Sequence, residues 1–273
     1  LASRRLAALW VATLSSLATG ILLLGLAWLM AGPLTPSAFV WGLATGAALA
    51  VGLLAYYVGF ARGSFGLVSA ITGVWSAIVP VVVGLGFGER PAWLALVGVA
   101  LLIAAIALVS GGQQGGAVTV HGVARDPGLP PPAWWRRMPS GFFEATVAGL
   151  GFGLVFVFLG QAQAGHPLWP VVVSILMAGG ILCGVALWRR PPLRVDRGLW
   201  GLLLLAGLLQ AGATVAFVLA VRGGFLSIVA VAGAMSPIPT AAAAWLFLRE
   251  RLSGLQRLGF VAAMLGILAI ALG

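Results

Sequence analysis

The sequence has little charge and few groups able to do chemistry. Of its 273 residues only 7% are charged, against roughly 25% in a soluble domain. The acidic residues are Glu89, Asp126, Glu144, Asp196 and Glu250, and lysine is absent, so all 15 basic residues are arginine. There is one cysteine, Cys183, and there are two histidines, His121 and His166. A lone thiol excludes an internal disulfide, and so sparse a set of Cys and His suggests no metal site. No Ser/His/Asp arrangement and no cluster of carboxylates or histidines at membrane depth is visible, so no enzyme is expected and no cofactor is implied. The net charge of +10 does not indicate nucleic acid, because the arginines sit between apolar runs and not on one basic face.

The remainder is apolar. Hydrophobic residues make up 62% of the chain, more than a water-soluble fold can bury, which places it in a bilayer. Nine apolar runs follow one another at roughly 7–31, 37–60, 65–87, 92–110, 142–162, 168–188, 198–221, 225–247 and 255–272. Each is near the ~20 residues that carry a helix across ~30 Å of hydrocarbon. They are uniformly apolar and do not alternate, which favours helices over barrel strands. The breaks GPLTPS, FGERPA, GHP and RRPPLRVDRG carry the Pro, Gly and charge of loops. Residues 111–141 form one long Gly/Pro-rich connection ending in Trp134-Trp135-Arg136-Arg137, which has the chemistry of an interface anchor.

The chain looks duplicated. Residues 61–70 read ARGSFGLVSA and residues 221–230 read VRGGFLSIVA, a spacing of 160 positions. Gly52 and Gly212, Gly73 and Gly233, and Ser76 and Ser236 keep that spacing, while the loop pair Glu89-Arg90 meets Glu250-Arg251 at 161. Two repeats result: 1–110 and 142–273, joined by 111–141. The second holds five runs and the first only four. The expectation is therefore an all-α polytopic membrane protein with nine visible spans of ten. A further span would precede Leu1, and two inverted five-helix repeats would result. In that scheme the visible runs are spans 2 to 10.

These features resemble the drug/metabolite transporter superfamily, and within it the EamA-type exporters. The residues that carry the likeness are Ser236-Pro237 in span 9, Glu250-Arg251-Leu252 after it, and the small-residue-rich run 255–272, with Gly88-Glu89-Arg90 and Pro80 as a weaker copy. The resemblance implies two inverted repeats around a central cavity and export of amino acids, other metabolites or drugs. Transport of nucleotide-like or sugar-nucleotide solutes is an alternative. So is a non-transporting subunit of a larger membrane complex.

Polar groups inside spans are costly unless they find partners or line a wet cavity, so their positions suggest a path. Thr72 and Ser76 share a face of span 4 with Ser69, and Trp75 lies beside them. Tyr56 is in span 3. Gln210 and Thr214 sit four apart in span 8, as do Ser236 and Thr240 in span 9. These eight residues, Tyr56, Thr72, Trp75, Ser76, Gln210, Thr214, Ser236 and Thr240, are the candidate solute contacts, near the midplane between spans 3, 4, 8 and 9. Each hydroxyl has a competing role in bonding its own helix or in packing. Pro80, Pro237 and Pro239 are candidate helix breaks, each removing a backbone donor. Glu144 is expected in the first turn of its helix, where a negative charge suits the dipole, with a proton- or cation-coupling role as the alternative. Gly42/Gly46, Gly149/Gly151/Gly153 and Gly180/Gly184 are expected to serve close helix packing.

The partners expected are a small-molecule solute and the lipid bilayer of the cell membrane, with no nucleic acid. The protein is expected to be a monomer, with a dimer as the alternative. Alternate loops place thirteen arginines on one side and Arg90 and Arg222 on the other. The positive-inside rule makes the first side cytoplasmic and the C-terminus external, whereas the relatives it resembles are usually drawn with both termini inside.

Overall fold

The computed structural model of the protein describes residues 2–30, 32–63, 65–111, 140–162, 165–189, 200–236 and 253–272, with 238, 239, 242 and 246 between the last two segments. Among the described residues there are helices and no strands. They are α1 (Ala2–Met30), α2 (Pro36–Arg62), α3 (Phe65–Gly86), α4 (Trp93–Gly111), α5 (Phe142–Gln161), α6 (Leu168–Arg189), α7 (Trp200–Gly223), α8 (Leu226–Ala234) and α9 (Gly254–Leu272). An all-helical answer follows from the composition, since a helix satisfies every interior backbone group within its own segment.

Six of these are long and apolar enough to cross a membrane: Pro36–Arg62, Gly66–Gly86, Trp93–Ser110, Phe142–Gln161, Leu168–Trp188 and Gly254–Leu272. Shorter apolar stretches run over Ser16–Leu29 and Gly207–Gly223. The chain is thus a multi-pass helical membrane protein. The connection around 112–139, with Trp134, Trp135, His121 and its arginines, lies outside the described residues, as do 190–199, Pro237, Thr240 and Glu250-Arg251-Leu252.

Local chemistry sets the helix ends. Thr35 is the N-cap of α2: its Oγ1 accepts the amide of Ala38 at 3.3 Å, and Pro36 fills the first helical position, where no amide is missed. At α9, Ser253 and Gln256 form a capping box. The Gln256 amide donates to Ser253 Oγ at 3.2 Å, and Gln256 Oε1 accepts the Ser253 amide at 2.9 Å. After α3, Gly88 takes φ +90. Its amide donates to the Leu85 carbonyl at 3.0 Å, and the Glu89 amide to the Gly84 carbonyl at 3.1 Å, which is a Schellman ending.

Two of the apolar runs treat proline differently. Helix α3 runs through Pro80 without interruption. The run expected over 225–247 is instead interrupted: α8 ends at Ala234, Met235 and Ser236 form a turn, and Ile238, Pro239, Ala242 and Leu246 beyond it are helical again. The Met235 amide reaches back to Ala232 at 3.2 Å and the Ile238 amide to Met235 at 2.9 Å. Both bonds span three residues, tighter than an α-helix.

The helices gather into two compact units, and each draws on both sequence repeats. The first is Leu1–Val51 with Val155–Gly223. In it α6 packs on α1 and on α2, with glycine as the contact residue. A Cβ at Gly46 would lie 2.5 Å from the Ser174 carbonyl oxygen, and one at Gly42 2.7 Å from Val173 Cβ. The expectation for Gly42 and Gly46 holds, whereas Gly180 and Gly184 are exposed with nothing within 4 Å of an added Cβ. Two polar ties close this unit's ends. Buried Trp169 donates its indole Nε1–H to the Gly32 carbonyl at 3.0 Å, and Arg222 donates to the Gly165 carbonyl at 2.7 Å.

The second unit is Gly52–Leu154 with Gly224–Gly273. In it α4 and α9 pack along most of their length, and α3 packs on α4 and α8. Gly259 and Gly266, seven apart on α9, both face α4. A Cβ at Gly259 would meet Val109 Cγ2 at 2.6 Å and the Ala105 carbonyl oxygen at 3.1 Å.

Candidate functional site

Helices α2, α3 and α5 bring several of the expected residues together within the second unit. The glycine pair Gly149 and Gly153 of α5 makes this approach possible. A Cβ at Gly149 would fall 2.5 Å from Trp75 Cβ and 2.8 Å from the Thr72 carbonyl oxygen, and one at Gly153 2.6 Å from Val79 Cβ. The close packing expected of the Gly149–Gly153 stretch is thus between α5 and the polar face of α3.

The hydroxyls on that face have partners in the protein. Thr72 is 4% exposed and donates across to the Ala145 carbonyl of α5 at 3.1 Å. Ser76 is 6% exposed and bonds back to the Gly73 carbonyl at 2.8 Å. Both therefore serve as fasteners in this conformation, one between helices and one within a helix. The Tyr56 hydroxyl meets Ser69 Oγ at 3.5 Å. Its ring rests against Phe60 and Phe152, with centroids at 4.2 and 5.7 Å. Tyr56 and Trp75 are both only half-buried. They give this patch an amphipathic aromatic surface, apolar in body with a polar tip.

Glu144 sits in the first turn of α5, as expected. Its carboxylate pairs with the guanidinium of Arg62 at the end of α2, the one ion pair among the described residues. The pair commits Glu144 to holding two helix ends together.

The first unit holds Gln210 and Thr214 on α7. Thr214 Oγ1 donates to the Gln210 carbonyl at 2.9 Å, a bond within one helix, and the Gln210 side chain is exposed. An exposed carboxamide on an apolar helix is costly against hydrocarbon and suits a wet surface. Of the span-9 candidates, Ser236 lies at the turn that ends α8 and is exposed, Pro239 is exposed, and Pro237 and Thr240 fall outside the described residues. No group of three or more His, Cys, Asp or Glu side chains able to hold a metal occurs among the described residues.

One interaction at this end of the second unit was not expected. Glu89, which the sequence places in a loop, sets its carboxylate on the first amides of α8, 2.6 Å from Leu226 N and 3.0 Å from Ser227 N. Nothing local to either partner announces a bond between positions 137 and 138 residues apart.

Apolar helices of membrane-crossing length, packed through small residues, define a helical integral membrane protein. Residues 139–272 match the model of the EamA-like transporter family, the family that Ser236-Pro237 and the run 255–272 suggest. A solved structure described only as a crystal structure of a protein superposes with a TM-score of 0.62 at 15% identity, covering 96% of this chain and 98% of that one. That likeness is one of fold. No curated protein matches the sequence.

Proposed function

We propose that the protein is a secondary transporter that exports small organic solutes across the cell membrane by alternating access. The observation that carries this reading is the EamA-like match over residues 139–272. The helical membrane architecture supports it. Of the residues expected at the solute path, Tyr56 and Trp75 in the second unit and Gln210 in the first are the strongest contacts, because each offers a side chain that is not fully buried. Thr72, Ser76 and Thr214 act behind them through the bonds already described. Ser236, at the turn that interrupts its span, and Thr240, four residues on in the sequence, are the remaining candidates. Aromatic and carboxamide groups without fixed charge suit zwitterionic or amphipathic solutes better than polyanions. The Arg-rich loops face the cytoplasm.

Flux into liposomes tests the proposal. Purified protein is reconstituted and offered amino acids, nucleotides and amphipathic drugs in turn. Protein-dependent flux of at least one class is expected. Tight vesicles with well-folded protein and no flux of any class would leave a non-transporting membrane subunit as the better reading.

A further inference from the structure

The Schellman ending of α3 does more than stop a helix. It fixes Glu89 at the position just beyond the left-handed Gly88, with the Glu89 amide tied back to Gly84. From there the side chain crosses Gly84 and reaches α8. A Cβ at Gly84 would run into the Glu89 carboxylate and lie 3.2 Å from Ser227 N. Gly84 is therefore the seat over which the carboxylate passes.

At the far end stand the amides of α8 that no turn of its own helix can satisfy. The N-cap residue is Phe225, which supplies no side-chain acceptor. Glu89 takes that place through both of its oxygens. The carboxylate is balanced here by two amide donors and the positive pole of the helix. The elements packed around this corner, α3, α4 and α8, carry no titratable side chain, and the neighbouring Arg90 is exposed. Ser227, whose amide is one of the two donors, is fully buried, and its hydroxyl has no hydrogen-bond partner.

We propose that Glu89 is the positioning residue of α8, a carboxylate that clamps the start of this short helix to the end of α3. Only the anion accepts both amide bonds at full strength. Helix α8 ends at the Met235–Ser236 turn, so it has few turns of its own to resist release. The effect of the clamp on flux rests on the transporter reading; the clamp itself does not.

The test is hydrogen exchange of the full chain in lipid nanodiscs, read on the peptide that contains Leu226 and Ser227, with intrinsic exchange corrected. Protection there is expected to fall roughly tenfold in Glu89→Gln at about pH 7.5, since a carboxamide presents one acceptor and one misplaced donor. Gly84→Ala keeps the charge but blocks the seat, and should lose protection at neutral pH as well. Exchange of α4 serves as the folding control. Wild-type protection in Glu89→Gln, or in Gly84→Ala, would overturn the clamp. Loss of protection in a protein that moves no solute would remove the transporter reading and leave the clamp standing.

Discussion

Gly98 of α4 and Gly266 of α9 face one another so closely that a Cβ on Gly98 would lie 2.7 Å from the Gly266 carbonyl oxygen, and one on Gly266 2.9 Å from that of Gly98. Backbone meets backbone here, and a side chain on either helix must push the pair apart. Gly98→Val or Gly266→Val should each destabilise the protein by about 1–3 kcal/mol, the usual range for overpacking. Thermal unfolding in detergent is the readout. Gly184→Ala, at a position where an added Cβ meets nothing within 4 Å, should be neutral or slightly stabilising, because alanine favours a helix over glycine.

The bond from Thr72 to the Ala145 carbonyl predicts a different result. Thr72→Val keeps the shape and removes the donor. Stability should fall by about 1 kcal/mol, while solute affinity changes by less than about twofold. A large loss of affinity at unchanged stability would mean that the hydroxyl reaches solute and not only α5.

Trp75→Ala and Gln210→Leu should weaken transport while leaving expression intact. A single good contact amounts to about 1–2 kcal/mol, or roughly five- to thirty-fold in affinity. Leu101→Ala on α4 is the control and should leave affinity unaltered. Wild-type kinetics in both variants across several solutes would place the path elsewhere.

Orientation can be read with a reporter fused after Gly273. The thirteen arginines on one set of loops predict an external C-terminus. A fusion active only in the cytoplasm would reverse that assignment.

The outline of the fold was legible in the sequence because apolar length is a direct statement about the bilayer. The runs 37–60 and 142–162 became α2 and α5 to within two residues at either end. Span 9 was legible as a troubled helix from Ser236-Pro237, though not that the turn falls at Met235 and Ser236. The capping box of Ser253 and Gln256 is a local pattern that the sequence displays. The site was less legible. Spacing put Thr72 and Ser76 on one face, but nothing local shows that one hydroxyl crosses to Ala145 while the other folds back to Gly73. Glu89 was hardest of all. Its partners are backbone amides on a distant segment, and an amide has no residue type to recognise.

The outward side of α9 carries Leu255, Leu258, Val261, Met264, Leu265 and Leu268, all exposed. To lipid tails one branched or flexible apolar side chain is nearly equivalent to another, so these positions can drift freely among Leu, Ile, Val and Met. Gly259 and Gly266 on the opposite side cannot drift, since any larger residue strikes α4. A helix of this kind wears two evolutionary clocks, fast on the lipid side and almost stopped on the protein side. With most exposed positions so weakly constrained, two chains can share a fold at a TM-score of 0.62 with only 15% identity.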